Sequence, residues 1–158
     1  LGAGHEGVVL LSCPLRLTRR SGTSHPRLTE REAALRDAGL TPREVGHYSA
    51  HATSTGKGDL AEASAVRRVF GDSPPVTALK GTLGHGVGAA GAFAAAAAVM
   101  SLERGEIPPT ANLSSIDPDI GLDVVAKAPR ESTARCAVVG ASAFGGHNAA
   151  LAIVASGA

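Results

Sequence analysis

Tryptophan is absent from the 158 residues, aromatic side chains amount to 3%, and the formal net charge is only +1. Each scarcity excludes a class of function. Single-stranded nucleic acid is held by aromatic stacking platforms in a positive groove, and neither is supplied here. Cysteine is limited to Cys13 and Cys136, far apart and each in an apolar run, which is neither a disulfide framework nor a zinc ligand set. A reducing compartment follows as the expectation. The opening Leu1-Gly2-Ala3-Gly4-His5-Glu6 lacks a basic stretch followed by an apolar one, so no secretory signal is read. Without an initiator Met, the numbered chain is expected to begin inside a longer gene product. The location expected on these grounds is the cytoplasm.

Ionisable side chains are also missing from Gly81 to Leu102, His85 excepted. That run is long enough to span a bilayer. It consists mostly of glycine and alanine, however, which give little driving force for insertion. The expectation is a helix wrapped on all sides by protein, with no membrane as partner. With 44% hydrophobic and 18% charged residues, the chain suits one compact domain whose core is built from Ala, Val, Leu and Gly.

Along the chain, Val8-Val9-Leu10-Leu11 reads as a buried strand. The basic stretch Thr18 to Arg27 reads as a loop, with Arg16, Arg19, Arg20 and Arg27 forming a solvated face. Thr29-Glu30-Arg31-Glu32 opens a helix with acidic residues in its first turn; Ala33, Ala34, Leu35 and Ala38 supply its apolar side and Gly39 ends it. A further turn at Thr41-Pro42-Arg43-Glu44 leads to a strand from Val45 to Ala50, ending at His51. Gly58 to Phe70 is an amphipathic helix with Ala63, Val66, Val69 and Phe70 on one face and Arg67 and Arg68 outward. Val76 to Leu79 is a strand that delivers Lys80. Leu122 to Val125, Cys136 to Val139 and Ala149 to Val154 are further strands. The alternation predicts an α/β layered domain with a mainly parallel sheet.

In such sheets functional groups gather at the carboxyl ends of strands. One end here releases His51-Ala52-Thr53-Ser54-Thr55, another Lys80-Gly81-Thr82-Leu83-Gly84-His85, and another Phe144-Gly145-Gly146-His147-Asn148. A lone histidine is more often a hydrogen-bonded structural residue than a catalyst, but several such turns at equivalent strand ends shift that balance. His85, near the start of the apolar helix, sits in a field that stabilises anions, and Lys80 adds a positive charge nearby. An imidazole donating into that field suits an enolate or oxyanion, which is what acyl chemistry requires. A metal hydrolase built on His51, His85 and His147 lacks a carboxylate at ligand spacing, so neither metal nor cofactor is expected.

These segments resemble the β-ketoacyl-acyl carrier protein synthases, the ketosynthases of the thiolase-like superfamily. His51-Ala52-Thr53-Ser54-Thr55 with Gly58-Asp59-Leu60-Ala61-Glu62 is similar to the segment around that family's first catalytic histidine. Lys80 to Ala92 is similar to the segment holding its lysine and second histidine. Ile107-Pro108-Pro109-Thr110-Ala111-Asn112-Leu113 resembles its proline turn, and Phe144-Gly145-Gly146-His147-Asn148 its C-terminal glycine loop. Asp117-Pro118-Asp119-Ile120 followed by Leu122-Asp123-Val124-Val125 is similar to the actinobacterial elongating enzymes, including those of mycolic acid synthesis. The resemblance begins at Leu28, dividing the chain into a poorly matched segment 1–27 and a ketosynthase C-terminal domain 28–158.

The resemblance implies an α/β, thiolase-like architecture: the C-terminal half (βαβαβαββ-type) of a five-layer α-β-α-β-α fold, here incomplete, with the apolar helix between two sheets. It implies decarboxylative Claisen condensation, in which a cysteine of the N-terminal half takes an acyl chain, malonyl-acyl carrier protein loses carbon dioxide, and the enolate attacks the acyl thioester. His51 and His85 would hydrogen-bond the malonyl carbonyl, and Lys80 would support the electrostatics and the placement of His85. The backbone N–H of Phe144 would join an oxyanion hole while its ring gates the acyl pocket. Thr53, Thr55, Gly145 and Gly146 would support the loops, and His147 has no role assigned. Acyl carrier protein, and a ketosynthase N-terminal half or dimer partner, are the implied partners. Two features depart from the family. No nucleophile motif is present, since Cys13 and Cys136 both read as buried structural thiols, and Gly140-Ala141-Ser142-Ala143-Phe144 stands where the family has Asn-Ser-Phe-Gly-Phe. The alternative is a non-catalytic ketosynthase-like fragment, or a partner subunit of the chain-length-factor kind. A half-fold is expected to expose apolar surface that its other half would cover.

Overall fold

Unbroken apolar runs in this sequence become strands covered from both sides, and the segments with a helical apolar rhythm lie across them. A computed structural model of the chain describes residues 8–10, 26–72 and 74–155, with side chains from residue 30 onward. The elements in order are β1 (Val8–Leu10), α1 (Pro26–Asp37), β2 (His47–Ser49), α2 (Gly56–Phe70), β3 (Val76–Thr77), α3 (Lys80–Leu83), α4 (Ala90–Arg104), β4 (Glu106–Ile107), β5 (Arg130–Glu131), β6 (Cys136–Ser142) and β7 (Asn148–Ala155).

One sheet runs in the order β1-β7-β6-β2-β3. β6 is parallel to β2 and β2 to β3, whereas β7 is antiparallel to both β6 and β1. The sheet is thus mixed rather than mainly parallel. β6 and β7 form a hairpin across a short turn, a connection that requires no crossover helix. The expected strand from Leu122 to Val125 is reduced to an isolated parallel bridge, Val76 to Val124. Val76 N–H donates to Asp123 O at 2.8 Å and Val125 N–H to Val76 O at 2.9 Å. It has little to pair with, because β3 is only two residues long.

Alternation along the strands sorts their side chains into two cores. Tyr48, Val76, Val138, Ala150 and Ala152 face α1 and α2, where they meet Ala34, Leu35, Val66 and Phe70. Ala137, Val139 and Ile153 face the other way, onto Ala94 and Ala98 of α4. Val66, Val138 and Ile153 are fully buried, and each contributes about 1.5–3 kcal/mol by leaving water.

Several boundaries differ from the sequence expectation. α1 starts at Pro26, a residue suited to a first helical turn, so Glu30 and Glu32 lie beyond that turn and the expected loop loses Pro26 and Arg27 to the helix. Cys13, Arg16, Arg19 and Arg20, and the side chain of Arg27, lie outside the described residues. α2 starts at Gly56 rather than Gly58. Arg67 does not point freely outward: it donates to Asp119 O at 3.5 Å and to the Ile120 carbonyl, tying α2 to the turn at Pro118–Ile120.

α4 is the larger correction. It was expected to be enclosed on all sides, but Ala94, Ala98 and Ser101 are its buried residues while Phe93 is 46% and Met100 44% exposed. The sheet covers one side only. The segment Val87–Arg104 has the length and apolarity of a membrane span, yet α4 is seated on β6 and β7 in the manner of a sheet-bound helix.

Candidate active site

Because β3, β2 and β6 are mutually parallel neighbours, their carboxyl ends lie along one edge of the sheet. The segments released there are the ones singled out from the sequence. His51 stands two residues beyond β2, Lys80 opens α3 three residues beyond β3, and Phe144 stands two residues beyond β6. Counting by alternation from Tyr48, His47 and Ser49 lie on the α4 side of the sheet, and His51 continues that row.

The structure brings His51, Lys80 and His85 together. The two imidazole centroids are 5.8 Å apart with their planes at 85°. Lys80 Nζ lies 3.5 Å from His51 Nδ1 and donates to the His51 carbonyl. His85 Nδ1 accepts the Val87 N–H at 3.1 Å. A backbone N–H can only donate, so Nδ1 of His85 carries no proton and Nε2 is its N–H. The Lys80 ammonium likewise favours an unprotonated Nδ1 on His51. Both rings then offer Nε2–H donors, the pairing needed to hold one oxygen that gains negative charge. Burial holds the Lys80 ammonium below its ordinary pKa, and the carboxylates of Glu62 and Asp59 act in the opposite sense.

Behind His51 stands a buried polar cluster. Glu62 Oε1 accepts the His51 N–H and Oε2 the Ala52 N–H, each at 2.9 Å. Glu62 Oε1 also accepts the Tyr48 hydroxyl at 2.9 Å and Arg31 Nη2 at 3.1 Å. Arg31 donates to the Tyr48 hydroxyl from Nε at 2.7 Å and from Nη2. Burial opposes the ionised Glu62, but Arg31, the two backbone N–H groups and Tyr48 outweigh it and hold the carboxyl below its usual range. Burial pushes the Tyr48 phenol up, so it stays protonated and able to donate. The His51 residue is therefore gripped on both sides: its N–H by Glu62, its C=O by Lys80.

None of Arg31, Tyr48 and Glu62 was singled out as functional from the sequence, although a signal existed. Glu62, Val66 and Phe70 recur every four residues, as do Arg31 and Leu35, so both charges lie on apolar helical faces. Backbone conformation adds a second mark. Ala52, Ser54 and Val87 have φ of +30°, +61° and +50°, and such strained residues tend to cluster at functional sites. Gly81, beside Lys80, has no room for a side chain: a Cβ would lie 2.2 Å from Ala111 O.

The remaining expected site residues take up positions in the surrounding loops. Thr53 and Thr55 contact each other through their hydroxyls at 3.3 Å, with Thr55 as the N-cap residue of α2. Phe144 is fully exposed at the head of the β6–β7 turn, where Gly145 and Gly146 take φ of +76° and +80°. Asn148 Nδ2 closes that turn on Gly146 O at 3.1 Å, and His147 is exposed. Cys136 is a free, buried thiol at the start of β6, about 20 Å of strand away from the edge where the histidines sit. Among the described residues, no group of His, Cys, Asp or Glu is arranged to hold a metal ion.

The family whose description is Beta-ketoacyl synthase, C-terminal domain, matches residues 15–114. The chain belongs to that family. The 3-oxoacyl-acyl-carrier-protein synthase 2 of Mycobacterium leprae (strain TN) is 50% identical over 116 residues, which are 73% of this chain and 28% of that protein. Among solved structures, the ishigamide ketosynthase/chain length factor has a TM-score of 0.78 at 41% identity, covering 80% of this chain and 32% of that one. A type II PKS acyl-carrier protein in complex with its ketosynthase, bound to the hexaketide, gives a TM-score of 0.77 at 30% identity over 81% of this chain and 32% of that one. This β-ketoacyl synthase chain therefore spans less than a third of the length of these relatives, and its mixed α/β sheet with helices on both faces is the ketosynthase architecture in its C-terminal part.

Proposed function

We propose that this chain supplies the enolate-stabilising half of a β-ketoacyl-acyl carrier protein synthase. In this reading malonyl-acyl carrier protein places its thioester carbonyl before the Nε2–H groups of His51 and His85. As the carboxylate leaves as carbon dioxide, the electron pair of the broken C–C bond moves into the thioester and the carbonyl oxygen becomes an enolate oxygen. The two N–H donors bind that oxygen more tightly than the ground-state carbonyl, and this difference lowers the barrier. Lys80 holds His51 and adds positive potential. The Phe144 N–H and ring serve the acyl partner's oxyanion and pocket, with Thr53, Thr55, Gly145 and Gly146 shaping the loops. The acyl nucleophile comes from a cysteine-bearing half that this chain faces, and acyl carrier protein delivers both substrates. The reading is carried by the meeting of His51, Lys80 and His85.

A second reading, a non-condensing partner subunit, is favoured by Cys136 lying at the far end of β6 and by the changed run Gly140-Ala141-Ser142-Ala143. Intact mass after incubation with acyl-acyl carrier protein tests the assignment. The chain alone takes up no acyl group, and adding a cysteine-bearing half together with malonyl-acyl carrier protein yields β-ketoacyl product and carbon dioxide. An acyl adduct on Cys13 or Cys136 contradicts it. Product formation that persists when both His51 and His85 are replaced supports the second reading instead.

A further inference from the structure

Arg31, Tyr48 and Glu62 come from α1, β2 and α2 and meet out of solvent, being 2%, 0% and 4% exposed. A buried ion pair contributes little net stability relative to apolar packing, so its presence calls for another use. The next hydrogen bonds outward supply one. Both Glu62 oxygens end on the backbone that carries His51, through the N–H groups of His51 and Ala52. A glutamate has several rotatable bonds, and without restraint its carboxylate samples many positions. Here the Arg31 fork holds the Tyr48 hydroxyl, and Arg31 Nη2 and that hydroxyl converge on Oε1 and leave Oε2 aimed at Ala52. β6 makes room for this arrangement: a Cβ on Gly140 would lie 2.1 Å from Tyr48 Oη and 3.0 Å from Arg31 Nη2.

We propose that Arg31 and Tyr48 are positioning residues that lock Glu62 and, through it, fix the His51 backbone and the aim of its imidazole at the substrate carbonyl. The inference rests on reading His51 as a group that touches the malonyl thioester. Ala52, at φ +30°, is strained, and the second Glu62 oxygen is what restrains it. Releasing Glu62 lets Ala52 relax and swings His51 away from His85.

Tyr48→Phe in the full 158-residue chain tests this by amide hydrogen exchange, paired with carbon dioxide release from malonyl-acyl carrier protein after addition of a cysteine-bearing half. Exchange at His51 and Ala52 is expected to quicken about tenfold while Val138 and Ile153 in the sheet stay protected. In the same variant kcat is expected to fall about tenfold with KM nearly unchanged, because geometry and not substrate binding is lost. Unchanged exchange at His51 and Ala52, a uniform loss of protection across the sheet, or an unchanged kcat overturns the inference. Should Tyr48→Phe fail to fold, Arg31→Lys keeps the charge, removes the fork and is judged by the same readouts. His51→Ala, measured alongside, separates the two failures. Full carbon dioxide release in that variant overturns the reading of the site. Release lost in His51→Ala but retained in Tyr48→Phe overturns only the positioning role.

Discussion

His47 is 1% exposed, and among the described residues neither of its ring nitrogens has a hydrogen-bond partner. Burial holds its pKa at about 4, down from an ordinary 6.5. Above pH 6.5 the ring is neutral in both the folded and unfolded chain, and no proton is exchanged on folding. As pH falls below 6.5 the unfolded chain takes up a proton that the folded chain refuses, so stability declines, and the decline ends near pH 4 once the folded form also accepts it. A shift of this size is worth about 3 kcal/mol. Urea unfolding at pH 7 and pH 4.5 is therefore expected to show a steeper acid loss in the parent chain than in His47→Leu, and parallel losses would contradict the account. His47 also marks a limit of reading residues singly. Its alternation with Tyr48 was visible, but its burial depends on α4 lying above it. The same holds for Arg31 and Glu62. Each sits on an apolar helical face, yet without the partner element in view a charge next to a helix reads as solvated.

At the scale of elements, α4 shows what an alanine-rich sequence is suited to. Ala98 is fully buried against Ala137, Val139 and Ile153, and its small side chain is what permits close approach to the sheet. Ala98→Leu is expected to cost about 1–3 kcal/mol by overpacking. Ala96→Leu, on the exposed side of the same helix, is expected to change stability by less than about 0.5 kcal/mol. Thermal melts of the two variants check this, and equal losses would mean that α4 is enclosed on both sides. The longer elements α1, α2, α4, β6 and β7 were legible because apolar rhythm and Gly/Pro punctuation agreed. The direction of β7 and the short β4–β5 pair were not. Parallel and antiparallel strands carry similar apolar runs, and two-residue strands leave too short a pattern to read. The convergence of His51, Lys80 and His85 was legible because all of them follow strands, and strand ends in a parallel set share an edge.

Over the whole molecule, most of the exposed large apolar side chains lie on elements near the polar site, with Ile116 a further one. The exposed Phe93, Met100, Val87, Leu83 and Phe144 belong to α4, to α3 and the turn after His85, and to the β6–β7 turn, which are the elements that carry or adjoin the candidate site. The match to the Mycobacterium leprae relative takes in 28% of that protein's length. Among the described residues an imidazole pair meets a lysine, a backbone N–H and a buried carboxylate, and the account reads them as one electrostatic site. Its central claim is that these imidazoles stabilise the enolate. The rate of carbon dioxide release from malonyl-acyl carrier protein, measured after addition of a cysteine-bearing half, tests that claim most directly. His51→Ala and His85→Ala are each expected to lower the rate by about 100-fold or more, in line with the loss of one oxyanion donor. Release within about twofold of the parent in either variant would contradict it.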